Sequence, residues 1–86
     1  MSERYGLPAS HNRELLHRML DEIADRLEAN RPDNPFTATS RIAIIQATTM
    51  DPRLGRALRE QAPDVTREMT RRQYAAQLRE ITGGAA

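Results

Sequence analysis

Apolar positions along this chain recur with a period near 3.6, not 2. Leu16, Leu20, Ile23 and Leu27 follow one another at steps of four, three and four, and Leu15, Met19 and Ala24 widen the stripe. Side chains at those steps share one face of an α-helix. The spacing therefore predicts an amphipathic helix that opens at Ser10, a good N-cap, and is stopped by Asn30 and Pro32. Its outer side carries Glu14, Arg18, Glu22 and Arg26 at four-residue steps. Glu ahead of Arg at that spacing contributes only about 0.2–0.5 kcal/mol per pair, so the apolar stripe is expected to supply most of the stabilisation.

Arg31 to Thr37 holds Pro32, Asp33, Asn34 and Pro35, a run of turn formers that reads as a connector with Phe36 pinned inward. Thr37, Thr39 or Ser40 can cap a second short helix running through Met50. Its β-branched residues Ile42, Ile44 and Ile45 also suit a strand, but no second stretch has strand character to pair with it. So short a run leaves open which of these isoleucines face the core and which a neighbour. Asp51 followed by Pro52 is a helix start, an acidic cap with Pro at the first helical position, and Leu54, Ala57 and Leu58 continue it with Gly55 as a weak point. A turn over Ala62 to Asp64 leads to a last helix from Val65 to Thr82, ended by Gly83 and Gly84.

Counted at 100° per residue, Val65, Met69 and Ala76 of that last helix lie on one side and Tyr74, Leu78 and Ile81 nearly opposite. Two opposed apolar faces predict one packed at home and one exported, with Tyr74, Leu78 and Ile81 as the exported surface and Arg67, Arg71 and Arg72 as its rim. The expected architecture is an all-α bundle of three to four short helices: an N-terminal arm over residues 1–9, a single helical domain over 10–82 and a short tail over 83–86.

Composition turns that architecture toward association. Leu, Ile, Val and Phe together number 15 of 86 residues, below the roughly 20% mark at which a chain's own core becomes thin. Charge does not push it toward disorder, because 13 basic and 12 acidic residues nearly cancel. Small domains of this kind are commonly reinforced by disulfides, metals or partners. Cysteine is absent and histidine is limited to His11 and His17, so a partner is the remaining support. No apolar run exceeds Ile42 to Ile45, and Met1 to Ser10 lacks the apolar stretch of a secretory signal, so the expected location is cytoplasmic, without a membrane.

Candidate chemistry is sparse. Glu14 and His17 form an ExxH spacing, of which di-iron bundles use two copies, and one copy is present. His17 also stands four residues before Asp21, a weak ion pair at most. No Cys nucleophile, GxSxG elbow or glycine-rich phosphate loop occurs, and the chain is short for an enclosed active site. The expectation is a non-enzyme without cofactor or metal.

Two binding readings remain. The leading one is a protein–protein interaction module, a regulatory, adaptor or inhibitor-type subunit that buries helix faces against itself or a larger protein. The alternative is a small nucleic-acid binder, because residues 41–72 carry seven Arg against four acidic residues. In that reading the last two helices mimic a helix-turn-helix and offer Arg53, Arg56, Arg59, Arg67, Arg71 and Arg72 to phosphates. Every basic residue is Arg and none is Lys. A GC-rich genome writes that pattern, and so does a surface selected for bidentate contacts.

Overall fold

The computed structural model describes residues 9–83, with side chains from residue 13 onward. Among them are four helices and no strand: α1 (Ala9–Ala29), α2 (Ala38–Thr48), α3 (Pro52–Gln61) and α4 (Arg71–Thr82). This is the all-α bundle anticipated from the sequence. The anticipated arm, Ala9 apart, and the tail beyond Gly83 lie outside the described residues.

Local chemistry accounts for most of the boundaries. α1 is already helical at Ala9, so Ser10 lies inside its first turn instead of capping it. At its far end Asn30 N–H donates to Arg26 O at 3.0 Å and Arg31 turns the chain away with φ +49°. Of the three cap candidates before α2, Thr37 is the one used, its Oγ1 accepting from Ser40 N at 3.1 Å. α2 ends at Thr48, two residues earlier than Met50. The Asp51 carboxylate accepts from Arg53 N at 2.8 Å to open α3 with Pro52 at its first position, and Gly83, at φ +90°, closes α4.

α4 departs from expectation. It begins at Arg71, not Val65; residues 62–70 are non-helical, and Met69 to Arg72 run against the connector that follows α1. Phe36 N donates to Met69 O at 2.8 Å, Arg71 N to Asn34 O at 2.9 Å and Arg72 N to Pro32 O at 2.8 Å, with an antiparallel bridge between Pro35 and Thr70. Thr70 then caps α4 in a full capping box: its Oγ1 accepts from Gln73 N at 3.2 Å while Gln73 Oε1 accepts from Thr70 N at 2.8 Å. That Thr-x-x-Gln signature was legible in the sequence and marks the true start.

The core gathers Leu20, Ile23, Ala24 and Leu27 of α1 with Phe36, Ile45, Leu58, Ala62, Met69 and, from α4, Tyr74, Ala75 and Leu78. α1 and α4 run antiparallel, since Arg71 at the start of α4 bonds Asn30 O at 2.8 Å and Thr82 at its end bonds Asp21 Oδ1 at 2.7 Å. The Phe36 and Tyr74 rings stack with centroids 4.4 Å apart. The Tyr74 hydroxyl donates to Pro63 O at 2.6 Å, and burial pushes its phenol above the ordinary value.

Among the described residues the Glu14, Arg18, Glu22, Arg26 ladder closes no ion pair. Three other acidic residues of α1, Asp21, Asp25 and Glu28, converge instead on Arg79. Its guanidinium forks onto Glu28, with Nη2 to Oε1 at 2.8 Å and Nε to Oε2 at 3.3 Å, reaches Asp25, and lies 3.5 Å from Asp21. This fork holds the Glu28 carboxyl below its ordinary value. A carboxylate whose folded pKa is depressed contributes stability that is present above its unfolded pKa and lost as pH falls through the folded one. The urea midpoint is therefore expected to drop below about pH 4.3, the ordinary Glu value. Arg79→Ala should flatten that acid limb, and an unchanged limb would show that the fork does not couple to folding.

Candidate functional site

The thirteen arginines of the chain divide by what they touch. Arg41, Arg71 and Arg79 are built into the fold. Arg41 Nε donates to Pro63 O at 3.0 Å, its Nη2 to Arg59 O at 2.6 Å and to Ala62 O at 3.0 Å, and Asp64 lies 3.7 Å away. Arg71 closes the α1–α4 end through Asn30 O. Arg72 pairs with Asp33 at 3.0 Å, both side chains largely in solvent, which makes the pair worth about 0–1 kcal/mol. Arg53, Arg56, Arg59 and Arg67 are exposed and form no ion pair among the described residues.

This placement corrects the expected exported face. Tyr74 is 1% exposed and Leu78 0%, so both belong to the core, and Ile81 is half-buried against it. The opposed faces arise from counting helical angles through residues 65–70, which are non-helical. Once α4 starts at Arg71, Met69 and Val65 reach the same core from the connector side. The proposed rim is dispersed too: Arg67 lies on the segment before α4, Arg71 bonds Asn30 and Arg72 bonds Asp33.

The anticipated helix-turn-helix pairing also moves. Residues 62–70 are too long for its turn, whereas α2 and α3 are joined by Thr49, Met50 and Asp51 alone. Arg53, Arg56 and Arg59 project from α3, so half of the expected arginine set stays together.

The turn between α2 and α3 also carries the most exposed large apolar side chain among the described residues. Met50 is 96% exposed and Ile42 47%, the large apolar side chains open to solvent among the described residues, while Ile45 is core and Ile44 packs against it. That division answers how the isoleucine run is oriented. A notch of about 350 Å³ at that turn is lined by Ile45, Met50, Pro52 and Gly55 and by the polar Gln46, Thr49, Asp51 and Arg59. An added Cβ on Gly55 would meet only Arg59 Nη1, at 3.8 Å, which is ordinary contact. Gly55→Ala is thus expected to raise stability by about 0.5–1 kcal/mol through helix propensity, read as a higher urea midpoint at constant slope. A lowered midpoint would mean the helix needs glycine for packing.

A larger groove, about 640 Å³, runs between the start of α2 and the segment before α4, over Phe36, Val65, Met69 and Gln73. Glu14 is exposed and His17 half-buried, and among the described residues no three His, Asp or Glu side chains gather as a metal site would require. Asp21 is taken by Arg79 and Thr82, leaving no bond to His17. No described helix is long and apolar enough to cross a membrane.

Sequence reasoning missed Arg41 and Arg79. Arg79 had a usable signal, because Asp21, Asp25 and Glu28 repeat at steps of four and three along one side of α1. Arg41 had none, since its acceptors are backbone carbonyls. Comparisons with protein-family models, with curated proteins and with solved structures find no match for this chain.

Proposed function

We propose that this chain is a non-enzymatic protein–protein interaction module, a small regulatory, adaptor or inhibitor-type subunit, and that it binds through the α2–α3 corner. The observation that carries the reading is the near-complete exposure of Met50 in the turn between α2 and α3, with Ile42 of α2 half-exposed and Arg53, Arg56 and Arg59 of α3 exposed without ion pairs among the described residues. Interface centres are built from apolar anchors, with Met and Arg enriched over the rest of the surface and desolvated there. Leaving two such anchors in water has no benefit for the isolated fold.

Site-specific photo-crosslinking tests it. A photoreactive residue at Met50 in cells is expected to yield a defined protein adduct, and one at Arg26, an exposed residue of α1, is not. The combined Ile42→Asp and Met50→Asp variant should abolish that adduct while keeping the circular dichroism of the wild type. Equal adducts from both positions, or none from Met50, would overturn the assignment.

A nucleic-acid reading is kept alive by one feature, the short turn that sets α3 and its outward Arg53, Arg56 and Arg59 beside α2. Three phosphates neutralised give a log–log salt slope of about −2.7. Asp51 and Glu60 on the same helix and cap reduce the local field. Duplex DNA titrated at two salt concentrations is expected to show no such slope.

A further inference from the structure

We infer that the hollow where α1 ends and α4 begins is a binding site for a dianionic phosphate group, held between the guanidinium groups of Arg31 and Arg71. It shares no lining residue with the notch at the α2–α3 turn and does not rest on the interaction reading above.

The hollow measures about 260 Å³, room for several waters and so for one phosphate, and is lined by Asn30, Arg31, Asn34, Pro35 and Arg71. None of the five is acidic. Backbone carbonyls would repel an anion, and three of those on the lining residues already have donors. Arg71 Nε donates to Asn30 O at 2.8 Å, Asn34 N to Arg31 O at 3.0 Å and Arg71 N to Asn34 O at 2.9 Å. The side-chain donors are left over instead. Arg71 uses only its Nε, so both of its terminal amino groups lack a partner among the described residues, as do the Arg31 guanidinium and the Asn34 amide. Asp33, the carboxylate of the same connector, is engaged by Arg72 at 3.0 Å.

The backbone of Arg31 points the same way. Among the described residues it alone, glycine apart, has a positive φ, at +49° just past the end of α1. That left-handed position after a helix usually goes to Gly or Asn, because a longer side chain's Cβ crowds the backbone there. Yet the Arg31 side chain is exposed and makes no bond within the described fold. Strain kept for a side chain that the fold does not use is a feature of binding sites.

Donor number selects the ligand. Two guanidinium groups and an amide present more N–H groups than the two oxygens of a carboxylate can serve, whereas a phosphate monoester offers three strong acceptors and a charge of about −2. The planar fork of arginine matches that geometry. A phosphodiester has one charge and two of its oxygens in ester bonds, so a nucleic-acid backbone fits less well.

The test is an NMR titration of the isotope-labelled full chain with inorganic phosphate, and separately with acetate and dimethyl phosphate, at constant pH and ionic strength. Phosphate is expected to move the Arg31 and Arg71 Nε–H signals and the Asn34 side-chain amide in one saturable step, about tenfold more tightly than either monoanion. Arg31→Gly separates binding from folding. It should weaken phosphate about tenfold while the urea midpoint stays equal or rises, since glycine relieves the left-handed strain. Arg53→Ala, in an exposed arginine of α3, should leave the affinity unchanged. A phosphoserine peptide run beside inorganic phosphate distinguishes the sources: tighter binding of the peptide assigns the phosphate to a modified protein segment, and equal affinity assigns it to the free ion. Acetate binding as tightly as phosphate, shifts spread evenly over the exposed arginines, no saturation, or an Arg31→Gly variant of unchanged affinity would each overturn the inference.

Discussion

Leu78→Asp is expected to unfold the domain. Leu78 has no exposed surface and lies in the core with α1 and Phe36. A carboxylate placed there is buried without a partner, at a cost above about 4 kcal/mol. Small domains have little more than about 5 kcal/mol in total. The variant should lose its helical circular dichroism and its amide dispersion together. Leu78→Ala, which removes volume without adding charge, should cost about 2–5 kcal/mol and still fold in part. The experiment separates two views of α4: an outward Leu78 would give a folded variant that only loses association, the behaviour expected when the helix is taken to begin at Val65.

Arg41→Ala carries the next largest effect, about 2–4 kcal/mol. The guanidinium, 11% exposed, holds the carbonyls of Arg59, Ala62 and Pro63 at the point where α3 ends and the chain leaves the helix. Removing it leaves the part-buried Ala62 carbonyl without a donor, at about 1–3 kcal/mol, and gives up charged bonds to the exposed Arg59 carbonyl and to Pro63, which are the stronger kind. The Pro63 carbonyl keeps its bond from the Tyr74 hydroxyl, which limits the loss. Arg41→Lys should recover little, because an ammonium cannot span acceptors set for a planar fork. Chemical denaturation measures the total. Hydrogen exchange should show residues 62–70 opening first, and a variant with unchanged midpoint would mean that water replaces the guanidinium without cost.

These two residues also bear on the interaction proposal. With Tyr74 and Leu78 in the core, α4 does not present the apolar face first expected, and the exposed large apolar side chains among the described residues are Ile42 of α2 and Met50 in the α2–α3 turn. Arg41 ties α2 to the end of α3, so it fixes the angle at which Met50, Gly55 and Arg59 are presented. A partner surface on a rigid corner keeps its shape between free and bound states, which lowers the ordering cost of association.

The sequence by itself determined the elements whose signals are local. The stripe from Leu16 to Leu27, the Asp51–Pro52 start, a hydroxyl cap among Thr37, Thr39 and Ser40 and the Gly83 stop each act within a few residues, over distances that one helical turn spans. Thr70 and Gln73 belong with them. Their capping box sits within four residues, and attending to it would have placed the start of α4 at Arg71 and dissolved the false second face. What only the tertiary structure decided involves partners far apart in the chain. The end of the stretch before α4 is held non-helical where Phe36 N bonds Met69 O and Pro35 bridges Thr70, more than thirty positions away, and no period within the segment encodes that. The same holds for the arginines. A guanidinium reads alike in sequence whether it meets water, a carboxylate on another helix or a row of carbonyls, so folding alone sorted Arg41, Arg71 and Arg79 into the structure and left Arg53, Arg56 and Arg59 facing outward.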